Sequence, residues 1–250
     1  MQYGKNILSL QYQFKNIIME GKKYQLTDET IEHNGHTLYR IQALESFSQI
    51  KRGDLGGWIE KEKNLSQFGN CWVFNHAKVY GDAMVCGDAM VCDKAEVYGN
   101  AMIFGNVKVY NYAKVYDSAI ICDSAKIWNN AKVYGKTYIY FAAVISDVAE
   151  VYGNAQIGDH AEVSENAKIY ENSIIYNDAM IFGDAKIFGK AKVYNYAQVY
   201  ENAEISGCSL IGENVAIHGN VQVLGNSQII SEDVDISGDR IIDSTTLNIL

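Results

Sequence analysis

Residues 91–121 read Val91-Cys-Asp-Lys-Ala-Glu-Val97-Tyr-Gly-Asn-Ala-Met-Ile103-Phe-Gly-Asn-Val-Lys-Val109-Tyr-Asn-Tyr-Ala-Lys-Val115-Tyr-Asp-Ser-Ala-Ile-Ile121. Every sixth residue is Val or Ile. The same step continues in both directions without a miss from Val73 to Ile229, 27 consecutive positions over 157 residues. A short, fixed period sustained this long marks a solenoid whose repeats bury a shared core, and a six-residue period marks a β-helix.

The rest of each hexad supports this. Four residues after the Val/Ile comes a small residue, as at Ala77, Ala83, Ala89, Ala95 and Ala101, with Val107, Thr137, Ser173, Ser209 and Val215 among the exceptions. A β-branched residue on a flat side and a small one at a corner suit a narrow triangular prism. Between them lie turn pairs such as Gly81-Asp82, Gly99-Asn100, Asn129-Asn130 and Gly153-Asn154, whose residue types tolerate left-handed dihedrals. Three hexads make an 18-residue coil, so the run predicts about nine triangular coils and a rod of roughly 43 Å at about 4.8 Å per strand. Proline is absent from all 250 residues, as expected of a sheet that uses nearly every N–H.

The chain divides by pattern into residues 1–70, 71–230 and 231–250. The first part is aperiodic. Asn34-Gly35 between Thr30–His33 and His36–Ile41 predicts a β-hairpin, Ala43–Ile50 a short turn or helix, and Gly53–Ile59 a glycine-rich turn. Trp58 and Ile59 are expected to plug the open end of the rod, because a solenoid's first coil otherwise exposes a sheet edge and its core. Met19 can serve as an alternative start, with the residues before it an extension. After Ile229 the register slips by one residue at Val234 and Ile236, so residues 231–250, with the apolar tail Leu247–Leu250, read as a short C-terminal cap.

Tyr24-Gln-Leu-Thr, Asn34-Gly-His-Thr-Leu-Tyr-Arg-Ile, Gly53-Asp-Leu-Gly-Gly-Trp-Ile-Glu, Asn64-Leu-Ser and Gly69-Asn-Cys-Trp-Val, followed by Val-Tyr-Gly-Asn-Ala hexads, resemble the YdcK-like hexapeptide-repeat family over roughly residues 24–230. The resemblance implies an all-β, left-handed parallel β-helix with a hairpin-containing N-terminal cap; the hand rests on it alone. Such proteins are commonly labelled hexapeptide transferases, and related ones occur in phage as well as bacterial genomes. That distribution implies one conceivable role, a phage-encoded inhibitor of a host defence complex.

Composition narrows the partners. The net charge is −9, and between Val73 and Ile230 there are 11 lysines and no arginine, the bidentate phosphate ligand. Nucleic acid is therefore an unfavoured partner, and no apolar run is long enough for a membrane helix. Five cysteines without a CxxC pair suit reduced thiols, and the absence of a signal-peptide pattern reads as cytoplasmic.

Residues 18 apart share a face. One face carries Tyr80, Tyr98, Tyr116, Tyr134, Tyr152, Tyr170 and Phe188 beside a Lys/Glu column. It reads either as a flat stacking platform or as tyrosines that simply stabilise strands. A second, apolar face carries Met84, Met102, Ile120, Tyr138, Ile174 and Leu210 in one column and Cys86, Phe104, Cys122, Tyr140, Tyr176 and Tyr194 in the next, with the bulky Phe141 at an adjoining corner. An apolar strip of that size marks an interface, for a protein partner or for self-association as a dimer or trimer; a cap segment folded over it is the alternative. The third face mixes Trp72, Phe74, Met90, Cys92, Tyr110 and Trp128 with polar residues.

Catalysis finds little support. Hexapeptide acyltransferases commonly place a histidine base on a loop inserted between hexads, whereas these 27 hexads run without insertion. His76 and His160 fall at turn positions and His218 on an outer face. Cys86 and Cys122 are two coils apart, about 10 Å and too far for one zinc. The expectation is a binding scaffold with no catalytic residue, metal or cofactor. The competing reading is an acyltransferase using acetyl-CoA at a subunit interface.

Overall fold

The computed structural model describes residues 21–243; the extension before Met19 and the tail Leu247–Leu250 lie outside them. The chain winds as a left-handed parallel β-helix with about ten turns. Each hexad contributes a two-residue strand, and each strand pairs in parallel with the strand 18 residues on, as Lys114↔Lys132 and Val115↔Val133. Backbone amides bridge successive rungs, for example Tyr116 N to Val133 O at 3.0 Å and Ser118 N to Gly135 O at 2.9 Å. Every Val/Ile of the hexad run from Val73 to Val223 is fully buried, as is Ala at every corner that has it.

The first residue of each corner is left-handed. Gly, Asn and Asp take most of these places, and side chains there link the rungs: Asn111 Nδ2 donates to Asn129 Oδ1 and Asn129 Nδ2 to Asp147 Oδ1, both at 2.8 Å. Glu165, Glu171 and Glu201 also adopt positive φ. Their carboxylates accept the backbone N–H of the next rung's corner glycine at 2.9, 3.0 and 2.9 Å, which offsets the unfavourable dihedral.

At the N-terminal end β1 (Tyr24–His33) and β2 (His36–Ala43) form the hairpin expected around Asn34-Gly35, and β3 (Leu55–Ile59) pairs antiparallel with β2. Ala43–Ile50 contains no helix; Phe47 and Ile50 bridge across a turn. Trp58 and Ile59 do not plug the end. They form a rung, with Trp58↔Lys78 and Ile59↔Val79, so β1 and β2 extend the tyrosine-face sheet past the first coil and cover its edge. Gly56 and Gly57 sit inside that strand, where a Cβ would lie 2.6 Å from Ile41 Cγ1 and 2.6 Å from Ala77 O. They serve close approach, and only Gly53 (φ +94°) serves the turn.

Lys23 is buried beside this end. Its ammonium donates to Cys71 O at 3.0 Å and Gly69 O at 3.2 Å and lies 5.1 Å from the Phe47 ring centre. These carbonyls and the π face take the place of a counter-ion.

The far end also continues as rungs. Ile217 pairs with Ile236 and Val223 with Ile242, each 19 residues apart, and a bulge between Glu213 and Val215 of the partner strand absorbs the extra residue. The slip after Ile229 therefore sits at a corner, where length can change without moving the core positions. Thirteen strands line the tyrosine-face sheet, eleven of them beyond β1 and β2, so β3 and the strand at Ile241–Asp243 add one rung at each end to the nine of the hexad run. Among the described residues no helix is long and apolar enough to cross a membrane.

Burial pushes the hydroxyls of Tyr98, Tyr116 and Tyr134 up to about 12 from an ordinary value near 10. A raised folded pKa means stability that is whole below pH 10 and is lost as pH rises through about 12. Tyrosinate absorbance followed with circular dichroism should show these hydroxyls ionising late, together with loss of the β signal; ionisation of all tyrosines near 10 with the fold intact would contradict this.

Candidate functional site

The sheet register places the tyrosine column as foreseen, but the rings turn on edge. From Tyr80 to Phe188 consecutive rings stack on each other with centroids 4.8–5.0 Å apart and planes within 6° of parallel. The rung spacing falls within the centroid range of offset aromatic stacking, so each ring face is covered by its neighbour. The platform reading is thereby corrected: Tyr98, Tyr116, Tyr134, Tyr152 and Tyr170 offer edges and hydroxyls, not open faces. Tyr80 is not on the surface at all. It is 4% exposed beneath the hairpin, with His33 and His36 rings 5.5 and 5.1 Å away and Asn34 Nδ2 donating to its hydroxyl at 3.3 Å.

On the apolar face Met84 (45%), Met102 (41%), Phe104 (37%), Tyr138 (39%) and Phe141 (54%) are exposed, while Ile120 and Tyr140 are half-buried between them. Sequence reading missed Phe68, which the cap leaves 83% exposed beside Met84 and Cys86 at a depression of about 420 Å³. Its place in an aperiodic segment gave no register by which to align it. The exposed strip thus runs from Phe68 to Phe141; Gln156 interrupts the column before the half-buried Ile174 and the stacked Tyr176 and Tyr194.

Its far end is irregular in several ways at once. Phe141 has φ +52° at a corner, a position that other corners fill with Gly, Asn, Asp or Glu. Its ring tilts against Tyr140, 5.3 Å away, and Tyr140 stacks on Tyr138 at 4.9 Å. Tyr140 lies down over Gly158, where a Cβ would come within 2.1 Å of its Cζ. One corner earlier Thr137 is buried, and its hydroxyl has no partner among the described residues. The serines at equivalent corners, Ser173 and Ser209, donate back to Tyr170 O at 2.8 Å and Ser206 O at 2.6 Å.

The rod histidines His76, His160 and His218 sit on separate coils. His218 has both ring nitrogens beside carboxylates, Nε2 at 2.8 Å from Asp235 and Nδ1 at 3.6 Å from Glu201, and its ring stacks on Tyr200 at 4.6 Å. The Asp235 contact depends on the one-residue insertion, so hexad counting could not find it. His160 is exposed at its corner, and His76 lines a depression of about 480 Å³ with Arg40 and Lys94. A groove of about 930 Å³ follows a corner beside Lys132, Glu150, Lys168, Lys186 and Glu204. Ion pairs of 2.9 Å (Lys132–Glu150) and 2.7 Å (Lys186–Glu204) line it. Cys122 Sγ donates to Tyr138 Oη at 3.4 Å, and among the described residues no group of three His, Cys, Asp or Glu is placed to hold a metal.

Substituting Phe141→Asn removes a bulky residue from left-handed backbone and should stabilise the fold by about 1 kcal/mol. Thr137→Ser, able to donate to the preceding turn, should gain a similar amount of about 1 kcal/mol. Denaturant melts check both, and destabilisation by either variant would contradict the strain assigned here.

No protein-family model matches the chain. Over 62 residues it is 34% identical to the uncharacterized acetyltransferase YdcK of Escherichia coli (strain K12), a match covering 22% of this chain and 19% of that protein. The chain therefore spans about a fifth of the length of the curated relative it matches. This local similarity and the six-residue repeat together fit a hexapeptide-repeat protein.

Proposed function

We propose that this chain is a non-catalytic binding rod, related to the YdcK-like proteins, that engages a protein partner through the strip from Phe68 to Phe141. The carrying observation is Phe141: a bulky aromatic held exposed on left-handed backbone, at the end of a line of exposed Met and Phe side chains. Strain of this kind costs about 1–3 kcal/mol, and exposed aromatics in line are the usual anchors of an interface. The methionines add adaptable packing. Tyr98 to Tyr170 then act mainly as a stiffening spine whose hydroxyl edges flank the partner. No observation of fold or similarity favours a host defence complex as that partner.

A second reading, acyl transfer from acetyl-CoA between subunits, draws on the name of the E. coli relative. The uninterrupted coils and the doubly engaged His218 weigh against it. Micromolar acetyl-CoA binding that disappears in His160→Ala or His218→Ala would replace the first reading with this one.

Light scattering of the purified chain, with affinity capture from its native host, tests the proposal. Met102→Lys with Ile120→Lys, and separately Phe141→Asn, should abolish either self-association or the capture of specific proteins, while Tyr116→Ala with Tyr134→Ala should weaken it less. Unchanged assembly and unchanged capture in the apolar-face variants would remove this face as the interface.

A further inference from the structure

On the third face Lys108 and Lys126 stand directly opposite each other on adjacent rungs, and both are exposed. Adjacent rungs lie about 4.8 Å apart, and like charges directly opposite destabilise a sheet. On the tyrosine face glutamates interrupt the lysine column and pair with it, as Lys132 with Glu150. Here the flanking rung positions are Met90 and Val144. Among the described residues neither ammonium has a carboxylate within 4 Å. In a chain of net charge −9, acidic residues are not scarce; none flanks this pair in its own column.

Beside this pair the neighbouring column reads Cys92, Tyr110, Trp128. Tyr110 and Trp128 stack at 5.8 Å with planes 10° apart, covering one face of Tyr110. The other face looks toward the rung of Cys92, whose short thiol side chain supplies no ring to stack on it. The tyrosine spine is continuous by comparison. A depression of about 450 Å³ lies at this gap, lined by Met90, Cys92, Asp93, Lys108, Tyr110 and Lys126. Asp93 is its one carboxylate, and both its oxygens are engaged in the corner, with Asn75 Nδ2 at 3.4 Å and Asn111 N at 3.1 Å. Burial pushes the Cys92 thiol up to about 11, so no thiolate opposes an anion there.

We propose that Lys108 and Lys126 hold the anionic head of a small aromatic ligand, an aryl phosphate or aryl carboxylate, whose ring stacks on the open face of Tyr110 above Cys92. The lysines act as two point charges, so the site selects charge and a flat ring rather than the bidentate geometry that arginine would impose. The neighbouring Trp128 is a built-in reporter, since its ring stacks on Tyr110 while Trp58 and Trp72 are buried.

Titrating the full chain with phenyl phosphate and with benzoate, by calorimetry and tryptophan fluorescence, tests this. Cyclohexyl phosphate and inorganic phosphate serve as comparisons. Saturable binding of at least one aryl probe is expected, about tenfold tighter than its non-aromatic counterpart, and the tighter of the two identifies the head group. Lys108→Gln with Lys126→Gln should weaken it by at least about tenfold while leaving the melting temperature unchanged or raised, because the like-charge repulsion goes. Tyr110→Leu should erase the preference for an aromatic ring. Absence of saturable binding of either probe at millimolar concentration overturns the proposal, as does binding that survives the double lysine substitution. Equal affinity for phenyl and cyclohexyl phosphate overturns the stacking half of it.

Discussion

The narrow triangular interior is the constraint on which the rest of this structure depends. Each side has room for one β-branched residue and each corner for one small residue. Every coil with that content closes at 18 residues and stacks on the one before. Stacking in strict register then aligns the outward residues into columns that run along the rod. The chemistry of the surface is therefore decided column by column. A column of tyrosines becomes a continuous stack, a Lys/Glu column a row of ion pairs, and an Asn/Asp column a chain of side-chain hydrogen bonds along a corner.

Regularity has a second consequence. Where neighbours satisfy each other along a column, little is left for a ligand. The tyrosine spine uses its ring faces internally, and the 930 Å³ groove is lined by charges already paired within the rod. Open chemistry survives only where the repetition fails: at Phe141, where an aromatic takes a corner meant for Gly or Asn; at Thr137, with its unpartnered hydroxyl; and at the Cys92 gap beside two uncompensated lysines. In a solenoid, departures from the repeat are where binding is to be sought, because the repeat itself is self-satisfying.

The sequence was most legible where a residue's role depends on period alone. The Val/Ile and Ala positions, the turn pairs and the Asn34-Gly35 hairpin follow from local rules and fall where those rules put them. It was less legible at both ends. Trp58-Ile59 and Val234-Ile236 are rungs, but insertions at corners throw them out of phase with the hexads, and only strand pairing reveals that the core positions are kept. Phe68 and the His218–Asp235 contact were missed for the same reason.

By itself the sequence determined a β-helix, its coil length, its core and the membership of each outward column. These depend on period and residue size, which act through near neighbours along the chain. Only the tertiary structure decided what each column does. Whether a ring lies flat or on edge, whether Tyr80 is open or sealed by the hairpin, and whether two lysines meet a carboxylate are set by contacts between coils and between cap and rod. Those contacts join residues 18 or more positions apart, and their geometry depends on side-chain packing that no six-residue period encodes.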